Sequence, residues 1–263
     1  MLPIRRVLAP VDRSEYSIRM IPYAQTVAAR YRAELVLLHV ERDEELSKAS
    51  MDPFGDLNVR RVLYEGDPAD VITGFAKSER IDLIVMPTHG RGVFRRLLIG
   101  SVTAKVLHDV DCPVLTGVHI EKQFLVKDVK LHDVLCAIDL GPESPGTLRW
   151  ASQLAADCHT RLDVVHAVPA LPGHSVVLSN DWGLEVANMA RQEVDRAVRA
   201  AGAIAVGICI EEGEPAKAVC SLASKLGSGL LVIGRGPRDQ TGGRLTTHAY
   251  AIVRQSPCPV ISI

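Results

Sequence analysis

The sequence lacks the features that place a chain in several common classes of protein. No apolar run approaches the roughly 18 residues that a membrane-spanning helix requires. Lys and Arg number 30 against 31 Asp and Glu, for a net charge of −1, and no block of like charge stands out. We therefore expect neither a nucleic-acid groove nor a surface for anionic membranes, and no partner of either kind.

Cysteine and histidine are too scattered to indicate a disulfide framework or a metal site. None of the six cysteines belongs to a C-x-x-C pair, and the nine histidines lack the close spacing that builds a zinc site. Most cysteines lie in apolar segments, as in DVLCAID and VGICI, which favours reduced thiols in a core. The N-terminal apolar stretch ends at Asp12 and is too short for the hydrophobic region of a signal peptide, so we expect a cytoplasmic protein.

What the sequence does contain is one pattern twice. RRVLAPVD near the start corresponds to HDVLCAID, which aligns Asp12 with Asp139, and YEGDPADVI corresponds to EEGEPAKAV, which aligns Gly66 with Gly213. A repeat of this length predicts two domains of one fold. The chain then divides into a first domain, a charged linker and a second domain: 1–120, 121–131 and 132–263.

The second copy carries extra chain between its second and third strands. This extra segment, Asp181–Ala201, is rich in helix formers and has an amphipathic period, so it predicts a helix. The corresponding segment of the first copy, ERDEELSKASMDPFGD, is acidic and is interrupted by Pro53 and Gly55. We expect the first domain to be shortened there by one helix.

Within each copy, apolar runs of strand length alternate with helical periods. VLAPV, ELVLLHV, NVRRVLYE, DLIVMPT and PVLTGV lack polar alternation, which indicates strands buried on both faces of a parallel sheet. The first helix is expected at Ser14–Tyr31, with one apolar face: Met20, Ala24, Val27, Ala28 and Tyr31. The pattern predicts an α/β protein of two tandem doubly wound, five-stranded parallel-sheet domains, flavodoxin-like with strand order 3-2-1-4-5.

A ligand site is expected where the winding of such a sheet reverses, at the carboxyl ends of strands 1 and 4. In the first copy, Pro10–Asp12 ends strand 1, and Met86–Pro87 ends strand 4 before a glycine-rich loop. Gly100–Thr103 then opens a helix. Glycine lets a phosphate approach the backbone closely, and the first N–H groups of a helix bind it, with hydroxyl donors from Ser101 and Thr103.

The segment PTHGRGVFRRLLIGSVTAKVLHDVDCPVL resembles the nucleotide loop of the universal stress protein family, whose pattern is G-x-x-G, nine residues and then G-[ST]. Gly90, nine further residues and Gly100-Ser101 match this pattern, whereas Pro87 replaces the first glycine. The resemblance extends over nearly the whole chain, once per copy, and includes the Asp that ends strand 1 and the terminal CPV strand. Because proline has no N–H to donate, we expect Pro87 to weaken nucleotide binding without abolishing it.

The resemblance implies a stress-response regulatory protein that binds ATP, with or without Mg²⁺, in its first domain. It implies that Asp12 lies near the ribose and inner phosphates, Val40 beside the adenine, and Gly100–Thr103 around the phosphates. The full set of expected ATP-binding residues is Pro10, Val11, Asp12, Val40, Met86, Pro87, His89, Gly90, Arg91, Gly100, Ser101, Val102 and Thr103. No Walker lysine and no placed water-activating base accompany them, so we expect little or no turnover and assign no catalytic residue.

The second copy departs from this pattern at the positions that would hold phosphate. Thr246-Thr247 stand in place of Gly100-Ser101, and a β-branched threonine blocks the close approach of a phosphate and resists a positive φ. Ala167 replaces Val40. We therefore expect one ATP site per chain and a degenerate second site.

Several of these residues also have ordinary structural explanations. Asp12 and Ser101 suit a helix N-cap or a turn, and His39 and His166 suit buried histidines with a hydrogen-bond partner. The competing function is a nucleotide-independent protein-interaction module of the same fold, which the second copy fits. An adenylating or phosphoryl-transfer enzyme would require a placed nucleophile or base, and the sequence offers none.

Each copy ends in an apolar edge strand, 113–118 and 259–263, and an exposed apolar edge promotes aggregation unless it is covered. We expect the two edges to pair about a pseudo-twofold axis and form an intramolecular pseudo-dimer. The residues expected at its interface are Val114, Leu115, Val260 and Ile261. The sequence offers no residue on which to base a further homodimer of the whole chain.

A charge at this edge tests the pairing. Leu115→Asp should destabilise both copies together and expose apolar surface, because it buries a carboxylate in the expected interface. Thermal unfolding and the binding of a hydrophobic dye measure the two effects. A variant that melts like the parent would contradict the pairing.

Overall fold

The computed structural model describes residues 1–12, 14–40, 56–89, 99–117, 129, 131–169, 180–205, 207–236 and 245–263, with the backbone alone at 180–183. The chain divides into two compact units. The first unit contains Pro3–Lys130, and the second contains Leu131–Asp239 and Leu245–Ile263 together with Met1–Leu2. The segment 41–55 and almost all of the expected linker lie outside the described residues, so the boundaries at 120 and 132 and the shortening of the first domain stay predictions.

The first unit alternates strands and helices. Its elements are β1 (Arg6–Val11), α1 (Glu15–Tyr31), β2 (Glu34–Val40), β3 (Val59–Tyr64), α2 (Pro68–Ser78), β4 (Leu83–Pro87), α3 (Ser101–Asp109) and β5 (Val114–Gly117). The strands pair in parallel in the order β3-β2-β1-β4-β5. This confirms the strand order predicted from the sequence, and the winding reverses between β1 and β4.

The second unit repeats this plan. Its elements are β6 (Val134–Ala137), α4 (Ser144–Asp157), β7 (Leu162–Val168), α5 (Asn180–Ala200), β8 (Gly207–Glu212), α6 (Pro215–Leu226), β9 (Leu230–Ile233), α7 (Thr247–Gln255) and β10 (Val260–Ser262). Parallel pairing gives the order β8-β7-β6-β9-β10, which is again 3-2-1-4-5. Helix α5 occupies the extra segment of the second copy, one residue earlier than the predicted Asp181–Ala201.

The central strands of each unit form its core. Val7 and Leu8 of β1 and Val164 and Val165 of β7 are fully buried, and helices pack on the sheets. In the first unit α1 packs against β1, β2 and β4, while α2 packs against α3. In the second unit α4 packs against α5, and α6 packs against α7. Burying the apolar faces of these central strands against the helices is the main source of stability, because it removes apolar surface from water.

Helix α1 begins and ends where capping chemistry permits. Ser14 is the N-cap, and its hydroxyl oxygen accepts the N–H of Ser17 at 3.3 Å. Arg32 ends the helix with a left-handed φ of 53°, which lets its N–H reach the carbonyls of Ala28 and Ala29. The predicted apolar face is confirmed, since all of its members are buried: Met20, Ala24, Val27, Ala28 and Tyr31.

Strand β3 contradicts the expectation that every strand is buried on both faces. Leu63 is 49% exposed and Tyr64 is 47% exposed. β3 is the outermost strand of β3-β2-β1-β4-β5, and Arg60 near its start forms ion pairs with Glu34 at 3.1 Å and Glu79 at 2.8 Å. An edge strand is the place where charges of this kind are tolerated.

No disulfide joins any of the six cysteines, all of which lie in the described part of the chain. Cys136, Cys220 and Cys258 are buried. Burial raises the pKa of Cys136 to about 12, so that it remains a thiol at neutral pH. Among the described helices, none is long and apolar enough to cross a membrane.

An acidic residue caps the N-terminus of the corresponding helix in each unit, α2 in the first and α6 in the second. Asp67 accepts the N–H groups of Ala69 and Asp70 at the start of α2, both at 3.1 Å. Glu214 accepts those of Ala216 at 3.1 Å and Lys217 at 3.0 Å at the start of α6. The hydrogen bond from Ala216, supported by that from Lys217, lowers the pKa of the Glu214 carboxyl below its usual 4.5.

The Glu214 cap makes a testable contribution that depends on pH. Because the pKa of Glu214 is lower in the folded state than in the unfolded state, its carboxylate stabilises the fold fully at a pH above the unfolded-state pKa. This stabilisation is lost as the pH falls through the folded-state pKa. Glu214→Gln should therefore reduce the free energy of unfolding at neutral pH by about 0.5–1 kcal/mol, because the carboxylate is partly screened by solvent. The difference from the parent, measured by denaturant unfolding, should shrink as the pH falls below about 4.5. Glu212→Gln, at an exposed neighbouring carboxylate, is the control, and a difference independent of pH would contradict the cap.

Candidate functional site

A cavity of about 490 Å³ opens at the carboxyl ends of β1, β2 and β4, where the winding of the first sheet reverses. The lining residues are Pro10, Val11, Asp12, Ser17, Leu38, Val40, Pro68, Ile72, Met86, Pro87, Gly100, Ser101, Val102 and Thr103. The wall is mostly apolar, with a few polar groups converging on it, as is typical of small-molecule sites.

The expected site residues on β1, β2, β4 and the start of α3 all line this cavity. They are Pro10, Val11, Asp12, Val40, Met86, Pro87, Gly100, Ser101, Val102 and Thr103. His89 is not among the lining residues, and Gly90 and Arg91 lie outside the described part of the chain. That these residues bind a nucleotide stays a prediction.

Four lining residues were not singled out from the sequence: Ser17, Leu38, Pro68 and Ile72. Three of them had a signal in the sequence pattern. Leu38 lies two residues before Val40 on the same face of β2, and Pro68 and Ile72 lie one turn apart on α2. The repeat also marks Pro68, because its counterpart Pro215 lines the corresponding cavity of the second unit.

The N-terminus of α3 reaches the cavity without a side-chain cap. Gly100 is the N-cap, and among the described residues no side chain accepts the N–H groups of the first turn. The N–H of Gly100 itself donates to the carbonyl of Thr88 at 2.8 Å, which anchors the helix to the end of β4. The uncapped N–H groups and the positive end of the helix dipole therefore face a cavity, an arrangement that binds anions.

Three expectations about this helix were wrong. Ser101 is not the N-cap but the first helical residue. Gly100 has φ −60° and ψ 147°, so it does not need the left-handed region. The hydroxyl of Thr103 donates to the carbonyl of Pro87 at 3.0 Å, so it holds the helix against β4 and is not a free donor.

Asp12 orders the turn between β1 and α1. Its Oδ1 accepts the N–H of Ser14 at 2.9 Å and also the Ser14 hydroxyl, and Ser17 donates its hydroxyl to the Asp12 carbonyl at 2.8 Å. Of the two ordinary roles considered for Asp12, the turn is correct and the N-cap is not, because Ser14 caps α1. One carboxylate oxygen is thus committed to the turn while the residue lines the cavity.

The histidines near the site are held by the scaffold. His39 is buried, and its Nδ1 lies 2.8 Å from the carbonyl oxygen of Val11. Since a carbonyl only accepts, Nδ1 carries the proton. His166 repeats the contact with Ile138 at 2.9 Å. His89 is held by Thr88, whose hydroxyl donates to Gly117 and so accepts from His89 Nδ1 at 2.9 Å.

The second unit has a cavity of about 320 Å³ at the corresponding place. Asp139, Ala167 and Thr246 line it where Asp12, Val40 and Gly100 line the first. At some corresponding positions the two cavities have side chains of different chemistry, as where His248 replaces Val102. The second cavity is therefore present with a changed lining, and the degeneration of its nucleotide site stays a prediction.

The main difference between the two cavities is the start of the helix. Thr246 is the N-cap of α7, and its hydroxyl oxygen accepts the N–H of Ala249 at 3.3 Å. Its φ of −73° and ψ of 160° resemble those of Gly100. Threonine therefore fits the backbone conformation, contrary to the expected conflict with a positive φ, and it competes with a phosphate by occupying the N–H group that the phosphate would use.

A doubly wound parallel sheet with an uncapped helix N-terminus at its switch point defines an α/β domain suited to anionic ligands. A sequence model of the universal stress protein family matches residues 41–116 and 130–263. The chain belongs to the universal stress protein family.

Individual relatives correspond to less than half of the chain. A universal stress protein of Methanocaldococcus jannaschii is 28% identical over 136 residues, which cover 42% of this chain and 80% of that protein. One of Thermus aquaticus is 29% identical over 132 residues, which cover 42% of this chain and 96% of that protein.

Solved structures match the whole chain in fold. A protein of unknown function from Pseudomonas aeruginosa has a TM-score of 0.70 at 16% identity and covers 99% of this chain and 92% of its own. A universal stress protein from Archaeoglobus fulgidus has a TM-score of 0.64 at 22% identity and covers 98% and 95%. Universal stress proteins in complex with cAMP and with dAMP also match, at TM-scores of 0.39 and 0.38, a likeness too low to bear on the ligand of this chain.

The contrast between the two helix starts can be measured directly. Thr246→Ala should destabilise the start of α7 by about 1 kcal/mol, because the N–H of Ala249 loses its acceptor. Ser101→Ala should leave the start of α3 almost unchanged, because no side chain caps that helix. Amide hydrogen exchange in α7 and α3 reports the two effects separately. Equal losses of protection in both helices would contradict the assignment of an uncapped α3.

Proposed function

We propose that the protein is a stress-response regulatory protein that binds one ATP in its first unit and turns it over slowly or not at all. Membership of the universal stress protein family supports the regulatory role. The cavity at the switch point of the first sheet supports the nucleotide. The observation that carries the proposal is the uncapped N-terminus of α3 on the wall of that cavity.

The first cavity offers a suitable environment for each part of ATP. Leu38, Val40 and Ile72 supply an apolar wall for a purine base. Asp12 can accept hydrogen bonds from ribose hydroxyls through the oxygen that Ser14 does not occupy. The N–H groups of the first turn of α3 can bind phosphate oxygens, and the helix dipole favours their negative charge.

The polar groups of the cavity favour binding over turnover. Among the described side chains that line it, Asp12 alone ionises. In the described part of the chain, no group of three or more His, Cys, Asp or Glu side chains could hold a metal ion. Mg²⁺ would therefore enter with the nucleotide, held by phosphate oxygens and water, which is its usual mode of binding. Without a placed nucleophile or base among the described lining residues, such a site suits a sensor of nucleotide better than an enzyme.

The state of the cysteines supports a cytoplasmic location. No disulfide joins any of the six cysteines in the described structure, and a reducing compartment keeps cysteines in that form. Burial holds Cys136 and Cys220 as thiols with pKa values raised to about 12, so neither is poised for exchange.

One observation favours the competing function, a nucleotide-independent interaction module. Pro87 ends β4 at the cavity and has no N–H to offer a ligand. One experiment distinguishes the two proposed functions. Nucleotide that is released from freshly purified protein and identified by chromatography supports the ATP site. Protein that carries none and binds no added ATP supports the interaction module.

Calorimetric titration with ATP should give close to one site per chain. The uncapped α3 supplies the phosphate site in the first unit, whereas Thr246 occupies the equivalent position in the second. Gly100→Val should abolish ATP binding, because a branched side chain enters the space that phosphate requires. Asp12→Ala should weaken binding by about 1–3 kcal/mol through the loss of a polar contact.

The repeat supplies a matched control for each variant. Thr246→Val and Asp139→Ala change the corresponding residues of the second unit and should leave the affinity of the first unit for ATP unchanged. A stoichiometry near two, or unchanged ATP affinity in Gly100→Val, would contradict the assignment. Circular dichroism of each variant establishes that the fold is intact.

A further inference from the structure

The cavity of the second unit is large enough to hold a small ligand. It holds about 320 Å³, near the lower end of the range for small-molecule sites, roughly 300–1,000 Å³. Its apolar wall includes Ile138, Val219 and Ile233, at the same strand and helix positions that line the first cavity. A base-sized apolar molecule therefore fits both cavities.

In this cavity the helix N-terminus that could bind a phosphate is capped by a side chain of the chain itself. The hydroxyl oxygen of Thr246 accepts the N–H of Ala249, which leaves the first turn of α7 with a built-in acceptor. Two carboxylates, Asp139 and Glu143, also line the cavity. Their charge opposes a polyphosphate and favours a neutral or cationic molecule.

The polar groups that remain present hydrogen-bond acceptors to the ligand. Asp139 uses Oδ1 to accept from Gly141 at 2.8 Å and Ser144 at 3.0 Å, which leaves its second carboxylate oxygen. His166 donates from Nδ1 to the carbonyl of Ile138, so the ring is in the tautomer whose Nε2 is an acceptor. Acceptors of this kind match the amine and hydroxyl donors of a nucleoside.

The second cavity also has a basic side chain in its lining, that of His248. His248 lines the cavity, but its Nδ1 lies 3.9 Å from Glu214, whose carboxylate offsets any charge the ring acquires. The described lining of the second cavity is thus acidic on balance, whereas the lining of the first combines one acid with an uncapped helix start.

We propose that the second unit is a binding site for a phosphate-free nucleoside, distinct in specificity from the nucleotide site proposed for the first unit. The choice of a purine nucleoside as the ligand class rests on that proposed function, because the two cavities share their apolar walls. The rejection of phosphate rests on Thr246, Asp139 and Glu143 alone. The chain would then bind a nucleotide in one unit and the corresponding nucleoside, without phosphate, in the other.

A pair of matched substitutions separates the two sites. Val40→Trp fills the first cavity at the end of β2, and Ala167→Trp fills the second at the equivalent end of β7. The Val40→Trp chain should bind adenosine at close to one site, measured by calorimetry or equilibrium dialysis, and should bind ATP at least about tenfold more weakly. Adding Ala167→Trp should weaken adenosine binding by about tenfold or more.

A third substitution tests the reason for the specificity without filling the cavity. Thr246→Gly in the Val40→Trp chain removes the built-in acceptor and should strengthen ATP binding by about tenfold, with little change for adenosine. This measurement also decides the proposal if the Ala167→Trp chain does not fold, as judged by circular dichroism.

Several outcomes would overturn the proposal. They are failure of the Val40→Trp chain to bind adenosine, ATP binding there as tight as adenosine binding, and adenosine binding that survives Ala167→Trp in a folded protein. The ATP site is judged separately. If the Ala167→Trp single variant binds no ATP, the proposed function of the first unit fails, while adenosine binding to the Val40→Trp chain still decides the second site.

Discussion

Parallel pairing of the strands is the constraint on which the rest of each unit depends. Because every strand runs in the same direction, each connection must cross the sheet, and helices cover the apolar faces. The same pairing brings the carboxyl ends of β1, β2 and β4 to one edge, and the reversal of winding between β1 and β4 leaves a gap there. The cavity of the first unit is that gap, and the second unit has its counterpart between β6 and β9.

The two units share their scaffold and differ at the surface that a ligand would meet. His39 and His166 make the same contact with the end of the first strand, and Asp67 and Glu214 cap corresponding helices in the same way. These contacts satisfy buried or terminal polar groups, which every copy of the fold must do. The helix starts at Gly100 and Thr246 face a cavity, where water or a ligand can satisfy the N–H groups, so one can be uncapped and the other capped.

The two helix starts also show that one backbone conformation accommodates both an uncapped and a capped N-terminus. Thr246 adopts nearly the backbone angles of Gly100, so no rearrangement of the chain is needed. Its hydroxyl oxygen supplies the acceptor that an anion would otherwise supply, which stabilises the helix in the absence of ligand. The apolar walls stay in place, because they are also part of the core between the sheet and its helices.

The sequence by itself determined the repeat, the strand order and the position of the cavity, because buried apolar runs and helical periods are local patterns that the parallel fold turns into one arrangement. It also identified the glycine-rich start of α3. Only the tertiary structure decided that Gly100 has an ordinary negative φ and that the Thr103 hydroxyl donates a hydrogen bond to the carbonyl of Pro87. It also decided that Ser14, and not Asp12, caps α1. Each of these depends on which donor meets which acceptor across a turn or between elements. That choice is made by packing, and residue type alone allows more than one answer.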